Sequence, residues 1–153
     1  MSAKVRKVAT VFVFLLIILT LAFIWGNSLQ SRESSGELSN SLLSLVNVYL
    51  HYFGIELKDD YLLRKLAHFS EFCLLELEVF CLLLLRKTGR SKRVFYSLAV
   101  CIIVAAIDEG IQYFSGRACR LSDVALDVCG SFFALIMIRL VSFFKYALMK
   151  QKL

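Results

Sequence analysis

The sequence predicts an all-α fold: a four-helix transmembrane bundle with an additional amphipathic helix in its first outer loop. Three observations carry this. Apolar residues make up 59% of the 153-residue chain, mean hydropathy is +0.72 and proline is absent, whereas a soluble domain is about half apolar. Four apolar runs are each long enough, at about 1.5 Å of rise per residue, to cross roughly 30 Å of hydrocarbon. The net charge of +6 gathers in short segments between those runs, which is the pattern of membrane topology. No nucleic-acid partner is therefore expected. A chain of this size holds one bundle, so residues 1–153 are read as a single domain.

The first span, residues 8–25, follows Lys4, Arg6 and Lys7. A signal peptide shares that basic start, but its apolar region is shorter and ends at a small-residue cleavage site. Here the run ends in "IWGNSLQ", which predicts an uncleaved first helix. The other spans cover residues 62–85, 94–114 and 122–144. Between the first two, "SSGE" at Ser34–Glu37 is a capping-box pattern. Leu38, Leu42, Leu45, Val46, Tyr49, Leu50 and Phe53 then recur at helical spacing. Such a helix suits either the surface of the outer leaflet or a lid on the bundle's outer mouth. Cys73, Cys81, Cys101, Cys119 and Cys129 form no CxxC pair and read as small hydrophobes, not as a disulfide framework.

Lysine and arginine set the orientation. Basic residues mark the N-terminus, the segment "RKTGRSKR" at residues 86–93, and the C-terminus with Lys145, Lys150 and Lys152. These three are expected on the cytoplasmic side. The connection from Asn27 to Tyr61 has Arg32 and Lys58 against five acidic residues, so it is expected outside. Arg117 and Arg120 in the short connection after the third span breach the rule and need a reason.

That topology brings intramembrane polar groups to one depth. His68 and Glu71 fall near the outer start of the second span, Asp108, Glu109 and Gln112 near the outer end of the third, and Asp123 and Asp127 near the outer start of the fourth. All lie roughly 0–14 Å below the outer surface by helical rise. An aspartate at the centre of a membrane helix costs about 2.5–3.5 kcal/mol on insertion scales, and less near the interface. Groups kept at that cost face inward and find partners. The spacings agree, since His68/Glu71, Glu109/Gln112, Asp108/Gln112 and Asp123/Asp127 each share a helix face. Gly130 and Ala134 continue the face of Asp123 and Asp127, where small residues let another helix approach.

Several chemistries fit this cluster. As a binding site, Arg117 and Arg120 would take a phosphate with help from Lys65, since arginine suits bidentate phosphate contact, and Gln112, Asp123 and Asp127 would line the pocket. As an enzyme, His68 would be a general base oriented by Glu71 or Asp108, with Glu109 a further candidate. The chain has no GxSxG or HExxH motif. A metal site on His68 and these carboxylates would lack the second membrane histidine common in such sites, because His51 lies in the outer connection. No metal and no cofactor are expected. In purely structural roles, Asp123 would cap the fourth helix and Arg117 would pair with Asp108 or Glu109. Deeper in the bundle, equal depth pairs Glu78 with Arg139, while Glu76 has no obvious partner.

Three segments resemble the VanZ-like family of bacterial membrane proteins. "WGNSLQSRESSGELS", residues 25–39, is similar to its serine-rich segment after the first helix. "KLAHFSEF", residues 65–72, resembles its Lys-x-x-His-x-x-Glu-aromatic signature, and "DEGIQYFSGRACRLSDVALDVCG", residues 108–130, its Asp-Glu-x-x-Gln…Arg…Asp signature. Glu76 and Ala134 stand where that family commonly has glycine. The resemblance implies a multi-pass protein of the bacterial cytoplasmic membrane. It also implies a link to resistance against teicoplanin, a glycopeptide acting outside that membrane. An envelope lipid, a lipid-linked cell-wall precursor or a glycopeptide are then the expected ligands of an outward-facing pocket, and oligomeric state is left open.

Overall fold

The computed structural model describes residues 2–30, 32–116 and 120–150. Five helices follow one another: α1 (Ala3–Leu29), α2 (Arg32–Leu50), α3 (Tyr61–Leu85), α4 (Arg90–Phe114) and α5 (Leu121–Lys150), with a single 3-10 turn at His51–Phe53 after α2. There is no strand among the described residues.

Three of these helices, α1, α4 and α5, are long and apolar enough to cross a membrane. α3 has the length, 25 residues, but Glu71, Glu76 and Glu78 lower its apolar character. Its position explains the difference. α3 packs against α1, α4 and α5, so its carboxylates meet other helices instead of a surrounding solvent. α1 shows the opposite pattern: Val8, Phe12, Leu15 and Leu19 are each more than half exposed, as a lipid-facing surface requires.

α1, α3, α4 and α5 each bury a stripe at helical spacing. On α4 it runs Ser97, Cys101, Val104, Ala105, Asp108, Glu109 and Gln112. On α1 it runs Ile17, Thr20, Ile24 and Ser28. Phe72, Leu75 and Val79 of α3 join the apolar members of these stripes in one core. α5 contributes Asp127, Gly130, Ser131 and Ala134, all buried. Gly130 is required by close approach: a Cβ there would lie 2.3 Å from the Phe69 carbonyl oxygen. The backbones of α3 and α5 thus touch at this point, as the small-residue face of the sequence predicts.

Three expectations are corrected. α1 continues to Leu29, past the predicted end at residue 25, because Asn27 and Ser28 find hydrogen-bond partners inside the bundle. α2 begins at Arg32, ahead of the predicted capping box. The Glu78–Arg139 pair does not form. The Thr20 hydroxyl donates to Glu78 Oε1 at 3.0 Å, while Arg139 is exposed and lines a cleft with Arg90 and Arg93 at the other end of the bundle. Equal depth does not give equal azimuth: Glu78 faces α1 and Arg139 does not. Glu76, on the far side of α3, is fully buried near Ser97 and Cys101 of α4, and neither of its oxygens has a hydrogen-bond partner. Cys73, Cys81, Cys101 and Cys129 are free thiols, and Cys119 lies outside the described residues.

Candidate functional site

The ends of α1 and α4 and the starts of α3 and α5 meet at one end of the bundle, and the predicted polar residues gather there. Asp108 is the hub. Its side chain is fully buried; the Ser28 hydroxyl donates to Oδ1 at 2.6 Å and the Gln112 amide donates to Oδ2 at 2.7 Å. The Gln112 amide also lies 3.4 Å from the Ser28 oxygen, so α1 and α4 are tied at this depth. Gln112 is one turn beyond Asp108 on the same face.

From α3, Glu71 accepts a hydrogen bond from the Asn27 amide at 3.3 Å. His68 Nδ1 stands 3.8 Å from Glu71 Oε2 and 4.0 Å from Asp127 Oδ1. One donor atom from each of His68, Asp108 and Asp127 falls within 4.8 Å of the others. Three helices therefore deliver an imidazole and two carboxylates to one small volume. The close approach of α5 at Gly130, one turn below Asp127, makes this possible.

A ring of rim contacts surrounds this centre. Lys65 of α3 forms an ion pair with Asp123 of α5, and the Ser122 hydroxyl also donates to Asp123 at 3.1 Å. Asp123 lies in the first turn of α5, where its charge favours the helix dipole, and clamps α5 to α3; it is not the cap itself. The Arg120 backbone N–H donates to Glu109 Oε2 at 3.0 Å, joining the end of α4 to the start of α5. Among the described residues, the exposed Arg120 guanidinium makes no ion pair. Arg117, expected to pair with Asp108 or Glu109, lies outside the described residues. Gly116, with φ +73°, turns the chain out of α4 into that connection, a backbone state that suits glycine.

Beside the centre lies a cleft of about 520 Å³ between α1, α2 and α3. Phe23, Leu42, Val46 and Leu63 form apolar walls, and Asn27, His68 and Glu71 form a polar end. Arg64 also lines it and is ion-paired with Asp60. α2 is held over this cleft at its far end, where the Asn47 side chain accepts from the Leu57 N–H and donates to the Leu57 carbonyl, both at 3.0 Å.

Of the residues singled out from sequence, His68, Glu71, Asp108, Gln112 and Asp127 come together, Glu109 sits next to Asp108 on α4 and accepts from the Arg120 backbone, and Lys65, Arg120 and Asp123 stand at the rim. Sequence reasoning missed Asn27 and Ser28 as members. Their signal was there: two polar side chains directly follow a long apolar run, yet stay within its helix.

No curated protein and no solved structure matches the chain. The VanZ/LLP1 family model does, over residues 10–142, a stretch that holds every residue of the buried cluster and both of its rims. The chain is thus a member of the VanZ/LLP1 family.

Proposed function

We propose that this is a four-span protein of the bacterial cytoplasmic membrane whose polar pocket faces outward and binds a phosphate-bearing envelope amphiphile: a membrane lipid or a lipid-linked cell-wall precursor. The observation that carries the reading is the cleft between α1, α2 and α3, with apolar walls and a polar end at Asn27, His68 and Glu71. An acyl or polyprenyl chain suits the walls, and a headgroup suits the polar end. Arg64, which lines the cleft, and Arg120 at the rim supply cations for phosphate, and Arg117 is expected to add a third. Glu71 and His68 supply hydrogen bonds for a headgroup hydroxyl or amine. The outward orientation rests on charge. The start of α1, residues 86–93 and the end of α5 carry these basic residues and sit at the end of the bundle opposite the cluster, which supports a cytoplasmic place for all three. In this reading α3 crosses as the fourth span, shielded by its neighbours, and α2 lies at the outer surface as the cleft's lid. Teicoplanin-type resistance would follow from holding a cell-wall precursor or the glycopeptide itself in this pocket.

Native mass spectrometry of the detergent-purified protein tests this. The expected result is a retained phosphate-bearing lipid that is lost on Ala67→Trp, a substitution that fills the cleft wall. A wild-type protein that holds no lipid, or an Ala67→Trp protein that keeps it, contradicts the reading.

A second reading, acid–base chemistry on the bound headgroup, is favoured by the placement of His68 Nδ1 between Glu71 and Asp127. It predicts that His68→Gln retains the lipid and abolishes its turnover.

A further inference from the structure

We infer that His68, Asp108 and Asp127 bind a divalent transition-metal cation, with Glu71 beside them as a further oxygen donor. The first observation is convergence. One donor atom from each of the three residues lies within 4.8 Å of the others. A cation held at about 2.0–2.2 Å by nitrogen and oxygen donors brings them to roughly 3–4 Å apart, a difference that side-chain rotation supplies.

The second observation is independent of that convergence. Asp127 is 1% exposed, and neither of its carboxylate oxygens has a hydrogen-bond partner. A buried ionised carboxylate is costly unless it is paired or coordinated. Lysine and arginine do not meet the need among the described residues: Lys65 is committed to Asp123 and Arg64 to Asp60. The side chain points instead toward His68 Nδ1, at 4.0 Å.

Asp108 has the form of a prepared ligand. Ser28 and Gln112 each donate to one of its oxygens, and each oxygen retains a lone pair. Hydrogen-bonded support of this kind orients ligating carboxylates in metal sites. Glu71 is similar: Oε1 accepts from Asn27, and Oε2 has no hydrogen-bond partner. One imidazole with carboxylates, and no thiolate, suits Mn²⁺ or Zn²⁺. The lone membrane histidine, which led the sequence to predict no metal, is no obstacle once two or three carboxylates share the site. The assignment stands on these donors and does not depend on the lipid reading. Its rival is a cluster neutralised by protons alone.

The test is metal content and thermal stability of the full chain, purified in detergent without chelator and without a polyhistidine tag. Chelator-stripped protein is then titrated separately with Mn²⁺ and with Zn²⁺. A single bound equivalent is expected, with a melting temperature that climbs with cation concentration. Both effects should vanish in Asp108→Asn and Asp127→Asn and persist in Glu78→Gln, which neutralises a buried carboxylate elsewhere. Should the two aspartate variants fail to accumulate, paramagnetic resonance of the Mn²⁺-loaded His51→Gln protein decides: coupling to one histidine nitrogen is expected, and none overturns the site. A wild-type protein that neither carries nor is stabilised by either cation also overturns it. So does an Asp127→Asn protein that melts above stripped wild type and binds the cation as wild type does. Lipid retention on the same samples reads the pocket separately, so lipid held without cation overturns the metal site alone.

Discussion

Asp108 is satisfied from two helices, and that makes Ser28 the most informative small residue in the molecule. Ser28→Ala removes one donor from a fully buried carboxylate without touching the core, at a cost of about 1–3 kcal/mol. A thermal melt in detergent should show the loss, and Asp108→Asn in the same background should diminish it. Glu76 predicts the reverse. Its carboxylate is buried with no hydrogen-bond partner, so Glu76→Gln should leave stability equal or raised, read by the same melt. At this scale the sequence made the charged members visible, because a carboxylate inside an apolar run stands out energetically. Ser28, Asn27 and Thr20 did not stand out, because hydroxyls and amides cost far less to insert. Their partners also depend on azimuth, which spacing along one helix does not give. The failed Glu78–Arg139 pairing has the same origin.

The helices meet through small residues, and Gly130 is where the fit is tightest. Gly130→Ala would drive a Cβ against the Phe69 carbonyl, forcing α3 and α5 apart at the level of the cluster. Overpacking of this kind costs about 1–3 kcal/mol and occasionally more, here against backbone that cannot rotate away. The variant should accumulate poorly or melt early. Gly110→Ala is the control, since nothing lies within 4 Å of the Cβ it adds; it should accumulate as wild type does. The starts of α3, α4 and α5 were legible to within a few residues, and for α4 and α5 length and hydropathy mark a helix able to cross a membrane. The ends were not. α1 runs on through Asn27 and Ser28, and α5 to Lys150, since a helix ends where its backbone groups find other partners and not where apolarity stops. α3 is the element that composition describes least well: its acids are explained by its central position, which only the packing reveals.

Taken whole, the bundle separates charge along its axis, with the acidic cluster at one end and the clustered lysines and arginines at the other. If the positive-inside rule sets the orientation, Lys58→Cys in a cysteine-free background should react with an impermeant thiol reagent in intact cells. Lys87→Cys should react only after permeabilisation. The reverse pattern would place the pocket in the cytoplasm and remove the basis for an envelope ligand. In the function proposed above, His68 and Glu71 belong to a working pocket and are not the glue of the bundle. The most direct measurement is the membrane abundance of His68→Gln and Glu71→Gln beside wild type, with co-purifying lipid quantified on the same samples. Near-wild-type abundance is expected of both, with a loss of bound lipid in Glu71→Gln at least. Variants that vanish from the membrane, or that accumulate and keep their lipid in full, would contradict it.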